Sequence, residues 1–256
     1  MTPPTTHSIA THLDTLLEKD RFTDYGYNGL QIETPSTKVT KVAFAVDAGL
    51  SVIEKAAEAQ CELLVVHHGI LWGSSGPITG AFARKVHLCM TRGVSLYAAH
   101  LPLDGHQELG NAAQIARVLD LKDVAPGFLH KGMPIGTTGS FSVPTTVHDV
   151  ATRLSTFEGA LQPPLILPFG PETIKRVGIA TGAATSVIPE CANLGIDLLI
   201  TGEGKQEAYH SAKEHKVSVL CMGHYASETF GVRALERVLE RDFCVKTVWI
   251  SEPTGI

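Results

Sequence analysis

Six residues of this chain have types and spacing that could do chemistry: His67, His68, His100, Asp104, His224 and Glu228. Imidazoles and carboxylates together suit Zn²⁺, Fe²⁺, Mn²⁺ or Ni²⁺. A carboxylate can bridge two such ions about 3.5–4 Å apart, the spacing of two-metal hydrolytic sites. His224 and Glu228 are four residues apart, so both can face one side of a helical first turn. Adjacent His67 and His68 point to opposite sides of a regular strand. Joint use of both requires the backbone to leave the strand there, and Gly69 permits that.

The elements that would position these residues occur twice. Residues 41–69 (KVAFAVDAGLSVIEKAAEAQCELLVVHHG) align without a gap on 176–204 (RVGIATGAATSVIPECANLGIDLLITGEG). Identical pairs include Val42/Val177, Ile53/Ile188, Leu63/Leu198 and Gly69/Gly204. VSLYAAH, ending at His100, matches VSVLCMGH, ending at His224, and a carboxylate follows four residues after each. RVL at 117–119 matches RVL at 237–239. Two copies of this length predict an α/β fold of two pseudo-symmetric halves, of α-β-α sandwich type, with equivalent strand ends and a metal site between them. Ligands of parallel α/β sheets gather outside the carboxyl ends of the strands, where these six residues fall.

Periodicity predicts a helix over 6–18, with Ile9, Leu13, Leu16 and Leu17 on one face. The turn-rich segment DYGYNG (24–29) follows, and then strand 40–47, helix 50–60 and strand 62–66, a parallel pair with a crossover. Helix 80–92, strand 94–99 and helix 108–120 complete the first copy. The middle, 126–171, holds seven of the fourteen prolines and reads as an insertion and hinge, with a strand at 138–143 and a helix at 145–157. The second copy predicts strand 175–180, helix 184–194, strand 197–201, helix 205–215, strand 217–222 and helix 227–240, and strand 244–250 closes the chain. The halves are placed at 1–125 and 126–224, with 225–256 left open to return to the first.

Composition narrows the function. The 256 residues carry 21 Lys and Arg against 26 Asp and Glu, a net charge of -5. No basic stripe offers a footprint for a phosphate backbone, which disfavours nucleic acid as the main partner. Five cysteines, none in a C-x-x-C pair, read as reduced thiols of a cytoplasmic protein. The start has neither a basic nor an apolar leader region, and no apolar run is long enough to span a membrane. There is no P-loop and no G-x-S-x-G elbow, and GIATG (178–182) lacks dinucleotide-binding spacing.

Plainer roles exist for several candidates. His7, His12, His87, His130 and His148 sit in helix or turn contexts and read as solvent-exposed. His106 and His210 lie near the proposed ligands. Glu203 occupies the repeat position of His68 and reads either as an acid/base group or as a helix N-cap neighbour. Trp72 and Tyr225 could wall a planar substrate, although core packing is the simpler role.

Five ordered blocks make a further pattern: NGLQIE (28–33), VVHHGILW (65–72), HLPLDGHQELGN (100–111), TGEGKQEAYHSA (201–212) and GHYASETFGVRAL (223–235). Together they resemble the Nif-three-like family, whose members are also called GTP cyclohydrolase 1 type 2 homologues. The resemblance covers residues 6–252, in the short form without an extra central domain. It implies a centre of two divalent ions per chain (Zn, Fe, Mn or Ni), with His67, His68, Asp104, His224 and Glu228 as ligands and His100 behind them. It also implies a toroidal homohexamer, a trimer of dimers. The activity implied is a metal-dependent hydrolase whose activated water attacks a small molecule, with C8 of GTP as the named case; Glu203, His100 and His106 would move protons. The alternative is a non-catalytic hexameric scaffold that binds metal, as a metal-delivery or regulatory interaction protein. Gly69 stands where relatives would more often carry proline, and is expected to loosen that turn.

Overall fold

The computed structural model describes residues 3–35, 38–73, 76–157, 159 and 162–256. In chain order the elements are α1 (Thr6–Leu16), β1 (Gly29–Ile32), β2 (Lys41–Asp47), α2 (Leu50–Glu58), β3 (Leu63–His68), α3 (Gly80–Arg92), β4 (Ser95–Ala98), α4 (Leu101–Asp104) and α5 (Asn111–Val118). They continue with β5 (Lys122–His130), β6 (Met133–Thr145), α6 (Val147–Leu154), β7 (Leu165–Leu167), β8 (Ile174–Ile179), α7 (Ile188–Asn193), β9 (Leu198–Thr201), α8 (Gln206–His215), β10 (Ser218–Cys221), α9 (His224–Phe243) and β11 (Lys246–Trp249). Two compact units emerge: Met1–Leu103 with Val232–Glu252, and Asp104–Gly231 with Pro253–Ile256.

The first unit holds a sheet in the order β1-β4-β3-β2-β11. The strands β2, β3 and β4 run parallel, β11 runs parallel to β2, and β1 pairs antiparallel with β4. Strands covered on both faces need near-continuous apolar runs, which KVAFAVD and LLVVHH supply. Helix α2 presses Val52, Ile53, Ala56 and Ala57 onto this sheet, in a core with Leu64, Val66 and Leu96. Helix α3 ends on Gly93, whose φ of 71° is the left-handed conformation that stops a helix.

The second unit holds a sheet in the order β5-β6-β8-β9-β10-β7. Its parallel centre is β8, β9 and β10. Thr146 caps α6 reciprocally with Asp149, and the helix buries Val147, Val150, Ala151 and Leu154, the predicted face. The repeat is visible in pairing register: Val42 faces Leu63 as Val177 faces Leu198, and Leu63 faces Ser95 as Leu198 faces Ser218.

Several elements differ from expectation. The Pro-rich middle is part of the second sheet: β5 and β6 form a long antiparallel hairpin, and β6 pairs with β8. Strand β5 is mostly exposed at the sheet edge, so it shows no apolar alternation to read. The strand β1 lies hidden in NGLQIE, and β7 has no counterpart among the expected strands. The expected helix 184–194 begins as a short 3-10 turn at Thr185–Val187, and α7 follows with Pro in its first turn. Helix α9 starts at His224, three residues early.

The exit of β3 also differs. The ladder continues to Asp47↔His68, so the backbone leaves the strand after both histidines rather than at them. Gly69 does not loosen the turn. A Cβ there would lie 2.4 Å from the Gln31 side-chain amide, which fills that space. Gln31 Oε1 accepts from Ile70 and Leu71 N–H, and its Nε2 donates to Tyr27 carbonyl, which pins the turn.

Candidate metal centre

In the first unit, β3 delivers His67 and His68, and the loop after β4 delivers His100. Each offers a ring nitrogen, and the three lie within 4.8 Å of one another, close enough to share a cation. His67 is fully buried, and its Nδ1 lies 2.8 Å from Ala99 carbonyl. His68 Nδ1 lies 2.8 Å from Asp47 Oδ1, and His100 Nδ1 lies 2.8 Å from Asp24 Oδ1. In each case Nδ1 is engaged, so Nε2 is the ring nitrogen that would serve as ligand. Metal-binding imidazoles are oriented this way by an outer carbonyl or carboxylate.

Asp24 carries no metal-site signal in the sequence, yet it organises this half. Its Oδ1 accepts from Tyr25 and Gly26 N–H as well as facing His100; its Oδ2 accepts from Leu101 N–H and the Asn28 amide. Asn28 Oδ1 in turn accepts His100 N–H at 2.7 Å. Burial pushes the Asp24 carboxyl upward, but the His100 hydrogen bond and charge, with those from Asn28 and Leu101, outweigh it and hold the group well below the usual carboxylate range. The only signal in the sequence is the turn chemistry of Asp24 and Asn28 around a glycine.

In the second unit, Asp104 is buried at the end of α4, its Oδ1 accepting from the Asn111 amide at 2.9 Å and from Thr181 hydroxyl at 3.2 Å. Asn111 Oδ1 accepts Gly231 N–H at 2.7 Å, which ties α5 to α9. His224 and Glu228 lie one turn apart at the start of α9, Nε2 to Oε1 3.3 Å. Glu203, after β9, lies with Oε2 3.3 Å from His224 Nδ1. His224 therefore repeats the pattern of the first unit. The Glu228 hydrogen bond and charge, with those of Glu203, outweigh burial and push its imidazole up to about 9. Lining these groups is Gly182, at φ 64°; a Cβ there would lie 2.5 Å from Glu228 Oε1.

The remaining candidates separate. His106 Nδ1 accepts the backbone N–H groups of Glu108 and Leu109, so it shapes the turn before α5. His210 is exposed on α8. His7, His87 and His148 are exposed as expected; His12 and His130 are half-buried, and His12 pairs with Asp242 at 3.1 Å. Trp72 is partly exposed, its Nε1 donating to Gly69 carbonyl and its ring 5.1 Å from that of His100, whereas Tyr225 is buried.

The family description Duf34/NIF3 (NGG1p interacting factor 3) matches residues 4–254. The chain belongs to the Duf34/NIF3 family. Relatives within it include a protein of Archaeoglobus fulgidus, 38% identical over 97% of this chain and 98% of its own, and one of Halobacterium salinarum, 43% identical over 92% and 94%. Both are called GTP cyclohydrolase 1 type 2 homolog. The solved structure of TTHA1606 from Thermus thermophilus is similar with a TM-score of 0.90 and 36% identity, covering 98% of this chain and all of that one. Its resemblance extends to the family's mixed α/β architecture. Among the described residues no helix is long and apolar enough to cross a membrane.

Proposed function

We propose that this protein is a metal-dependent hydrolase of a small molecule, its two ions held by His67, His68, Asp104, His224 and Glu228. The observation that carries this reading is the treatment of the histidines: Nδ1 of His67, His68 and His224 each faces a carbonyl or carboxylate, which orients Nε2 as a ligand. The donor set, imidazole with buried carboxylate, fits Zn, Fe, Mn or Ni rather than an all-oxygen cation such as Mg. Two such ions, when bound, supply an acidified water and polarise the atom it attacks.

The protein's own groups then have definite tasks. Asp104 is held for ligation by Asn111 and Thr181. Glu203, half-buried beside His224, takes or returns a proton at its carboxylate. His100 does so at Nε2, because Asp24 occupies its Nδ1. His106 has only Nε2 for such a task, since backbone N–H groups occupy its Nδ1. The names of the relatives make GTP the first substrate to test, with water adding at C8 and opening the imidazole ring. The family resemblance also supports a toroidal homohexamer, a trimer of dimers, which light scattering would read as about six chain masses. The five cysteines without disulfide partners accord with a cytoplasmic location.

Elemental analysis of tag-free protein tests the centre, alongside the His68→Ala/Glu228→Ala variant. About two ions per wild-type chain, lost in the variant, together with turnover of GTP or a phosphoester by the reconstituted protein, is the expected result. No stoichiometric metal after incubation with Zn²⁺, Mn²⁺ and Fe²⁺ would sink the mechanism. Metal without turnover of any tested substrate would favour the scaffold reading.

A further inference from the structure

We infer that the loop 22–28 forms a stacking subsite for an uncharged planar heterocycle, such as the base of a nucleoside. The loop bounds a cavity of about 440 Å³, lined among others by Lys19, Phe22, Asp24, Tyr25, Tyr27 and Asn28. That volume lies within the range of small-molecule sites. Tyr25 and Tyr27 are 58% and 59% exposed. Single exposed aromatics are ordinary, but two that flank one glycine at a cavity of ligand size are not.

The loop that carries them is rigidly built. Tyr27 N–H donates to Leu71 carbonyl, Gly73 N–H to Tyr25 carbonyl, and Gly26 bridges to Trp72. A Cβ on Gly26 would come within 3.1 Å of the Trp72 ring, so glycine lets the loop lie flat on the indole. From beneath, the Asp24 carboxylate binds the N–H groups of Tyr25 and Gly26. The backbone that carries the two rings is therefore fixed before any ligand arrives, which reduces the ordering cost of binding.

Charge selects the ligand class. Lys19 is the cation of the cavity lining, and it is already paired with Asp20 at 3.2 Å and Asp14 at 3.6 Å. Nearby Arg21 pairs with Glu18. With Asp20 and Asp24 also in the lining, the cavity offers no uncommitted positive charge for a phosphate chain among the described residues. Phenol faces and the Asn28 amide suit a heteroaromatic ring instead. The same Asp24 that lines the cavity holds His100, so a ring bound here adjoins the histidine cluster. The inference rests on the hydrolase reading only in taking that ring to belong to the substrate.

Equilibrium dialysis of the full chain against guanosine and adenosine, before and after chelation of metal, tests the subsite. Binding of guanosine or adenosine in both states is expected. Tyr25→Ala/Tyr27→Ala should weaken it roughly tenfold or more, and Tyr25→Phe/Tyr27→Phe should stay within about threefold, because stacking needs the ring and not the hydroxyl. Inorganic tripolyphosphate should not compete. Absence of nucleoside binding up to about 10 mM, well beyond useful affinity, would overturn the inference. So would unchanged binding in the alanine variant, including the case where that variant alters only the oligomeric state. Because the chelated protein is measured too, failure of the metal mechanism leaves this result readable.

Discussion

Gly182 offers a test of the proposed metal centre that replaces none of its proposed ligands. Replacing it with Ala has two separable consequences. The first is backbone strain: Gly182 sits at φ 64°, where an L-residue costs about 1–2 kcal/mol. The second is local. The new methyl would stand 2.5 Å from Glu228 Oε1 and 3.2 Å from His224 Nε2, where ordinary contact begins at 3.4 Å. Glu228 must then retreat by about 0.9 Å, several times the ±0.2 Å tolerance of metal–ligand distances. Moving the end of a flexible side chain adds little to the folding cost, but it removes the carboxylate from its place. Gly195→Ala is the matched control: Gly195 has the same φ of 64°, and its nearest obstacle is Arg176 Nη1 at 3.4 Å. Both variants should lose a few degrees of thermal midpoint, at about 2–4 °C per kcal/mol for a chain of this size. Only Gly182→Ala should lose metal affinity, by at least about tenfold, in elemental analysis after dialysis against a graded chelator. Wild-type metal content in Gly182→Ala, or equal loss in both, would refute the placement of Glu228 as a ligand.

Three further outcomes follow from the same contacts. Asp24→Asn sets an amide N–H₂ against at least one of the donors that Asp24 now accepts, and should cost about 1–3 kcal/mol, read as a lower thermal midpoint; an unchanged midpoint would remove Asp24 from its organising role. In metal-free protein the His224 imidazole is raised from its unfolded value near 6.5 to about 9, so its contribution to stability is complete below about pH 6.5 and is lost as pH rises toward 9, while metal affinity grows over the same window because ligation needs the neutral ring. Thermal unfolding across that range should show the apo protein losing stability, with His224→Gln flatter; an identical slope in the variant would contradict this. Finally, burial pushes the thiols of Cys61, Cys89 and Cys221 up to about 11 and that of Cys191 to about 12, whereas Cys244 is exposed. A thiol reagent at neutral pH should therefore label about one cysteine per native chain rapidly and all of them only on unfolding; rapid labelling of several would show that these cores open readily.

Much of the fold is legible because burial leaves period in the sequence. The runs of β2, β3 and β9 are apolar since both faces of a parallel sheet are covered. The repeat carries even the pairing register, because equivalent residues face equivalent partners in both units. Strands β1, β5 and β7 are not legible: β5 is exposed along most of its length, so nothing forces its side chains to alternate. Of the site, the repeat marks the histidines and the carboxylates that follow them. It does not mark the groups that aim them, Asp24, Asp47, Asn111 and Thr181, because an orienting hydrogen bond needs only some acceptor or donor at the right place. Gly69 also misleads, since the need there is space for Gln31 and not freedom of the backbone.

The sequence by itself determined the α/β class, the duplicated strand–helix–strand core, the donor types and the family. Those depend on residue type, local period and self-similarity, which need no partner to be read. Tertiary structure alone decided which nitrogen of each histidine is engaged, that His67 and His68 both remain in the strand, that Gly182 leaves room for Glu228, and that the chain changes unit at Leu103/Asp104 and again at Gly231/Val232. These depend on distances of a few ångströms between residues far apart in the chain: Asp24 and His100 are separated by 76 positions and meet at 2.8 Å. Nothing in either neighbourhood of the sequence records that meeting, because the sheet and the turns between its strands create it.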